Sequence, residues 1–250
     1  MTSPLLETQH LTHRYPDGDG GIFDINFSIS KGEFIILAGK NGSGKTTLIR
    51  HLNGLLLPQK GEIRLYGKNI LKDLTLTRKT VGMVFQDADT QIVGDTVFDE
   101  VAFGPENLNQ PRNQINTKVI AVLEQLDLIG LKDRNPATLS GGEKRRLAIA
   151  GILAMDPEII IFDEPFANLD HPGSQSLLAT ISDLNQKGQA IIMATHDVES
   201  VLKYASRMLI MADGRLAEDG SVTDLVKKLE FYGVKEPCAC KIAASFSWQP

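Results

Sequence analysis

The stretch "EFIILAGKNGSGKTTLI", residues 33–49, constrains the fold more than any other. A continuous apolar run closed by glycine suits a strand buried on both faces. The residues Gly39, Lys40, Asn41, Gly42, Ser43, Gly44, Lys45 and Thr46 follow at once and fit G-x-x-x-x-G-K-[ST]. Glycines let backbone N–H groups turn inward around phosphates, and the start of a following helix adds partial positive charge. Lys45 can then reach the β- and γ-phosphates of a nucleotide, and the Thr46 hydroxyl can ligate Mg²⁺. The stretch is a nucleotide site, and it needs a strand, a loop and a helix in that order.

The rest of the chain supplies a sheet for that strand. "IFDINFSI" alternates with period two, and "GEIRLYG" and "TVGMVFQ" are short strand patterns. After Gln86 the texture changes. "TVFDEVAFG" and "NQINTKVIAVLEQLDLIG" space their apolar residues at helical intervals, with no convincing strand until "EIIIFDEP". From there strands and helices alternate. "SQSLLATISDLNQKG" predicts a helix, "AIIMATH" a buried strand, "VESVLKYA" a helix and "RMLIMADGRLAE" a hairpin about Asp213-Gly214. "SVTDLVKKLEFYG" predicts a last helix, with Ser221 and Asp224 as a capping box. The expected fold is α/β: a P-loop NTPase core with a mostly parallel sheet, an N-terminal antiparallel β part and an inserted α-helical subdomain. At 250 residues the chain accommodates one such domain, with 1–86 and 157–250 as nucleotide-binding core and 87–156 as the helical insertion.

Composition narrows the partners. A net charge of −5 argues against a broad nucleic-acid-binding surface. No apolar run approaches the roughly 20 residues that span a bilayer. The start, "MTSPLLETQHLTHRYP", has neither a basic leader nor a long apolar segment, so no signal peptide is expected. Cys238 and Cys240 stand as "CAC", an awkward spacing for a mutual disulfide, and read as free thiols of a reducing cytosol.

"EIIIFDEP" complements the glycine loop. Its apolar residues place Asp163 at the C-terminal end of a buried strand, where open α/β sheets bind ligands. Asp163 would hold Mg²⁺ directly or through water, and Glu164 is placed to polarise an attacking water as general base. "LSGGEKRR", residues 139–146, then presents a second phosphate-binding pattern, a serine and two glycines at a helix start.

Six motifs in order carry a family resemblance: Gly39–Thr46, Gln86, "LSGGE" (139–143), "IIIFDEP" (159–165), "NLD" (168–170) and "THD" (195–197). Together they resemble an ATP-binding-cassette ATPase, over nearly the whole chain. The resemblance implies that two cassettes pack head to tail, with ATP between the P-loop of one and the signature Leu139, Ser140, Gly141, Gly142 and Glu143 of the other. It also implies that Tyr15 stacks on adenine, that Thr47 joins the ATP-binding set, and that Gln86 touches Mg²⁺ and the water. His196 would contact the γ-phosphate, and Asp170 would act across the dimer interface. Taken alone, Tyr15 is weak evidence, since a single tyrosine also reads as a surface or core aromatic, and Arg145 and Arg146 read as solvated charges on a helix.

"FQDADTQIVGDTVFDEVAFGPENL" further resembles the energy-coupling-factor ATPases, which drive uptake of vitamins and of cobalt or nickel ions. In that group an acidic helix after the glutamine loop receives a helix from a membrane subunit. Asp95, Asp99 and Glu100 would form that acidic surface, with Val97, Val101 and Phe103 as apolar contacts. The implied partners are a second cassette, identical or related, and integral membrane subunits, with the chain peripheral at the cytoplasmic face. Many members of the group have a longer C-terminal region that pairs the ATPases, and here the ATP-bridged interface is expected to suffice. The resemblance leaves another cassette transporter class, or a soluble cassette ATPase, as alternatives.

Overall fold

The computed structural model describes residues 3–16, 20–167 and 169–237, so Asn168, Cys238 and Cys240 lie outside the described residues. The chain opens with β1 (Leu6–Arg14), β2 (Gly21–Ile29) and β3 (Phe34–Ala38), followed by α1 (Lys45–Leu52). β4 (Lys60–Leu65) and β5 (Lys68–Asn69) form a hairpin, and α2 (Leu74–Thr80) leads into β6 (Val81–Val84). Three helices come next: α3 (Val97–Asn107), α4 (Arg112–Gln125) and α5 (Gly141–Leu153). β7 (Ile159–Asp163), α6 (His171–Gln186), β8 (Ala190–Ala194), α7 (Val198–Val201), β9 (Arg207–Ala212), β10 (Arg215–Ser221) and α8 (Val222–Leu225) follow.

The central sheet has the order β10-β9-β3-β8-β7-β6 and is parallel except for β10, which pairs antiparallel with β9. Its strands are apolar throughout because both faces are covered. Along β3, Phe34, Ile36 and Ala38 join one core, while Ile35 and Leu37 join another on the opposite face. β7 divides the same way, with Ile160 and Phe162 on one side and Ile159 and Ile161 on the other. Phe162 is fully buried, which contributes roughly 1.5–3 kcal/mol. The first core holds the helices, and the second holds α1 and the antiparallel sheet β2-β1-β4-β5.

β1 has no clean alternation to betray it in the sequence. Its pairing shifts register between Thr8 and Leu11, where His10 adopts φ 51° and an irregularity interrupts the period of two. Between β6 and β7 the described residues hold helices and no strand, as the sequence predicts. Val97 and Val101 of α3, Val119 and Leu123 of α4, and Leu147 of α5 are fully buried in one core. Two predicted helices are shorter than their patterns. α7 is a single turn, and the last segment is α8 followed by short 3₁₀ turns. The Ser221 cap is present, its side chain accepting from the Asp224 N–H.

The predicted hairpin forms between β9 and β10. Asp213 and Gly214 both have positive φ, 47° and 75°, the pairing that a tight two-residue turn requires. This turn braces the phosphate loop: Gly214 N–H donates to Ser43 O at 3.1 Å, and Lys40 pairs with Asp213 at 3.0 Å.

Candidate functional site

The glycine loop springs from β3 and ends at Gly44, which caps α1 at φ 104°. A Cβ on Gly44 would stand 2.9 Å from Ile22 Cγ2, so both the backbone angle and the space demand glycine. Lys45 is only 7% exposed, and its ammonium donates to the carbonyls of Gly39 at 2.7 Å and Lys40 at 3.3 Å. Burial pulls its pKa down, opposed by the charges of Glu164 and Asp163. Thr46 donates from its hydroxyl to Asp163 Oδ2 at 3.3 Å, which joins the loop to the end of β7. Burial raises the Asp163 pKa, the Thr46 hydrogen bond opposes that rise, and the neighbouring Glu164 adds to it.

Glu164 leaves β7 in the left-handed region, φ 47°. Its N–H donates to Ala194 O at 2.8 Å, which ties the turn to β8. Its carboxylate accepts from His196 Nδ1 at 2.8 Å and from the Thr195 hydroxyl at 3.3 Å. A carboxylate can only accept, so the proton of this contact sits on Nδ1. Tyr15 reaches across from the end of β1, its hydroxyl 3.2 Å from Thr47 Oγ1. These groups line one cleft of about 500 Å³, together with Gln86. The structure therefore brings together Tyr15, the P-loop residues Asn41, Gly42 and Gly44 to Thr47, Gln86, Asp163, Glu164 and His196, which lie up to 181 positions apart (196 less 15), while Gly39, Lys40 and Ser43 do not line the cleft.

The signature residues do not line this cleft. Ser140 caps α5 in a reciprocal box: Ser140 N–H donates to Glu143 Oε2 at 2.7 Å, and Glu143 N–H to Ser140 Oγ at 3.4 Å. Leu139 anchors the segment in the core. Gly141 and Gly142 differ from the P-loop glycines. Neither has positive φ, and a Cβ on either would meet nothing within 4 Å, open space shared by Gly42 but not by Gly39 or Gly44. Asp170 caps α6 in its own chain, accepting from the Gly173 N–H at 2.8 Å.

The profile of the family described as ABC transporter matches residues 22–167. A relative named energy-coupling factor transporter ATP-binding protein EcfA, from Methanocaldococcus jannaschii, is 45% identical over 90% of this chain and 82% of its own. A protein of the same name from Carboxydothermus hydrogenoformans is 38% identical over 96% of this chain and 90% of its own. The solved structure of cbiO1 from Clostridium perfringens, part of the ABC transporter complex cbiONQ, superposes with a TM-score of 0.81 at 32% identity, covering 99% of this chain and all of that one. The chain is an ABC transporter ATPase of the energy-coupling-factor type.

Within this cassette the acidic surface expected after Gln86 needs correction. Asp95, Asp99 and Phe103 are exposed, but Glu100 is 6% exposed and already used. Its carboxylate accepts from the Val93 N–H at 2.7 Å and the Gly94 N–H at 2.8 Å, folding that loop onto α3. Val97 and Val101 are fully buried. Helical periodicity puts all three on the inner face, and their pattern in the sequence does not distinguish a docking face from a core face. A groove of about 540 Å³ lies beside them, walled by Val93, Phe103, Leu108, Ile152 and Met155 with Arg78 and Lys79 at its rim.

Arg145 is a second correction. Expected on a solvated helix face, it is 5% exposed and donates to three backbone carbonyls: Phe85 at 2.8 Å, Gln86 at 2.8 Å and Ala167 at 3.3 Å. Its position three and four residues before the buried Ala148 and Ile149 was the available signal.

Proposed function

We propose that the cassette works as a head-to-tail pair in which each ATP lies between the P-loop cleft of one chain and the Ser140–Gly142 segment of the other. The observation that carries this reading is the open space around Gly141 and Gly142. Nothing in their own chain requires a residue without Cβ there, and an anion brought by a second molecule does. In this reading residues 1–86 and 157–250 form the nucleotide-binding core, and 87–156 the helical subdomain that carries the signature.

Thr46, Asp163 and Gln86 all line the cleft, Thr46 and Asp163 in direct contact, and their hydroxyl, carboxylate and amide oxygens are hard donors of the kind that suit Mg²⁺. When bound, the ion would offset charge on the phosphate oxygens. Lys45 binds the phosphates, and Tyr15 stacks on adenine. Glu164 takes a proton from water as its oxygen attacks the γ-phosphorus, and the bond from phosphorus to the bridging oxygen of ADP breaks. His196 donates Nδ1–H to the Glu164 carboxylate and contacts the γ-phosphate, to which only an N–H of its ring could donate. The groove beside α3 receives a helix of an integral membrane subunit, and the exposed Asp95 and Asp99 supply acidic contacts to it. The chain sits peripherally at the cytoplasmic face, and the cargo is a cobalt or nickel ion or a vitamin such as biotin.

The test is ATP hydrolysis per subunit across a wide dilution series, with wild type and Gly142→Ala. The wild-type rate per subunit should fall on dilution. Gly142→Ala should melt no lower than wild type and bind nucleotide normally, yet lose about a hundredfold in turnover through a blocked phosphate approach. A flat dilution curve, or a fully active Gly142→Ala, sinks the shared-site reading.

A further inference from the structure

Arg145 is a buried cation that makes no ion pair among the described residues, with Asp87 the carboxylate whose charge acts on it, and its guanidinium ties α5 to two other segments through three carbonyls. It grows from α5, whose first turn is the signature. It donates to Phe85 O and Gln86 O, at the point where the chain leaves β6 and enters the glutamine loop. Its third hydrogen bond goes to Ala167 O, in the segment between Glu164 and Asp170. That segment is turned back on itself, since Ala167 N–H donates to Glu164 O at 3.2 Å. Lys144, the preceding residue, adds a second tie to the same glutamine loop through Asp89 at 2.6 Å.

A methionine would fill this space without the desolvation that a buried guanidinium entails. What the guanidinium adds is a planar fork of donors that fixes three backbone segments in one geometry, which an ammonium cannot reproduce. We propose that Arg145 is a positioning residue that couples the two nucleotide sites of the pair. Gln86 and Glu164 face the nucleotide of their own chain, and Ser140 to Gly142 face the nucleotide of the other. A shift of the glutamine loop or of the segment after Glu164 is therefore passed through Arg145 to the helix presented to the second site. The coupling rests on the shared-site reading given above.

The experiment uses the full chain as Arg145→Met and Arg145→Lys. It reads nucleotide affinity with a fluorescent ATP analogue in a Glu164→Gln background, steady-state ATPase against ATP concentration, and the thermal melt. Nucleotide affinity should stay within about twofold of wild type, because Arg145 does not line the cleft. Turnover in Arg145→Met should fall about tenfold to a hundredfold through misplacement of Gln86 and Glu164. The Hill coefficient for ATP should drop from its wild-type value above unity to about 1, with Arg145→Lys in between. Loss of turnover with unchanged cooperativity would mark Arg145 as merely structural and overturn the proposal, as would wild-type behaviour in both respects. If Arg145→Met does not fold, Arg145→Lys carries the test, and a wild-type Hill coefficient in that variant overturns the proposal. A wild-type chain whose rate per subunit ignores dilution and whose Hill coefficient is 1 removes the shared site itself, an outcome distinct from an altered variant beside a cooperative wild type.

Discussion

Glu164 holds a backbone conformation that costs a non-glycine residue of order 1–3 kcal/mol, and the N–H bond to Ala194 O fixes it there. The turn points the carboxylate at His196 instead of continuing along β7. Glu164→Gln keeps the shape and removes the proposed base, so turnover should fall about 10²–10⁴-fold while nucleotide affinity is retained. Single-turnover hydrolysis beside equilibrium binding checks this, and normal turnover would remove Glu164 from its role. His51 gives a pH prediction at the same scale. It is fully buried, its Nδ1–H donates to Thr47 O at 2.7 Å, and its Nε2 has no partner. Burial is the main cause that lowers its pKa from 6.5, with the charge of nearby His13 acting in the same direction. As pH falls below 6.5 the unfolded chain takes up a proton that the folded chain refuses, so the contribution to stability drops on acidification. Urea melts from neutral pH downward should show this loss, and His51→Gln should flatten it.

At the scale of elements, caps and loop anchors decide what the helices can present. α3 begins at Thr96, whose hydroxyl accepts from the Asp99 N–H at 3.1 Å, and Glu100 then fastens the preceding loop. Two backbone N–H groups depend on that one carboxylate. Glu100→Ala should therefore lower stability by roughly 1–3 kcal/mol, read as a shift in chemical denaturation midpoint. Asp99→Asn, on the exposed face, should leave the midpoint nearly unchanged. Equal effects from the two would show that Glu100 is no anchor. α5 combines a capped first turn with Arg145 on its buried side, so the helix whose start is proposed to meet phosphate is also held to the glutamine loop.

For the whole molecule, the central sheet sets the distance between chemistry and partners. The P-loop, Asp163 and Glu164 stand at the C-terminal ends of parallel strands, while α3 to α5 pack on one face and carry the groove away from the cleft. No helix among the described residues is long and apolar enough to cross a membrane. Tagged Glu164→Gln protein held with ATP should recover a multi-helix scaffold and a substrate-binding membrane protein from native membranes in mild detergent. Recovery of soluble proteins only would leave the ATPase and remove the proposed membrane docking. The sequence by itself determined the parallel core, the glycine loop, the helical insertion and the placement of Asp163 and Glu164 at the end of a buried strand. These features depend on local geometry: a buried strand, a glycine turn and a helix start are written in contiguous residues. Other features were decided only by the tertiary structure. Glu100 turned inward because the Val93–Gly94 loop had unpaired N–H groups to satisfy. Arg145 became a junction because three carbonyls from distant segments converge on it. Gly141 and Gly142 were left with open space, while Gly44 was hemmed in by Ile22. A hydrogen-bond partner that lies 60 residues away, as Phe85 does from Arg145, leaves no mark on local periodicity, and only the folded chain brings the two together.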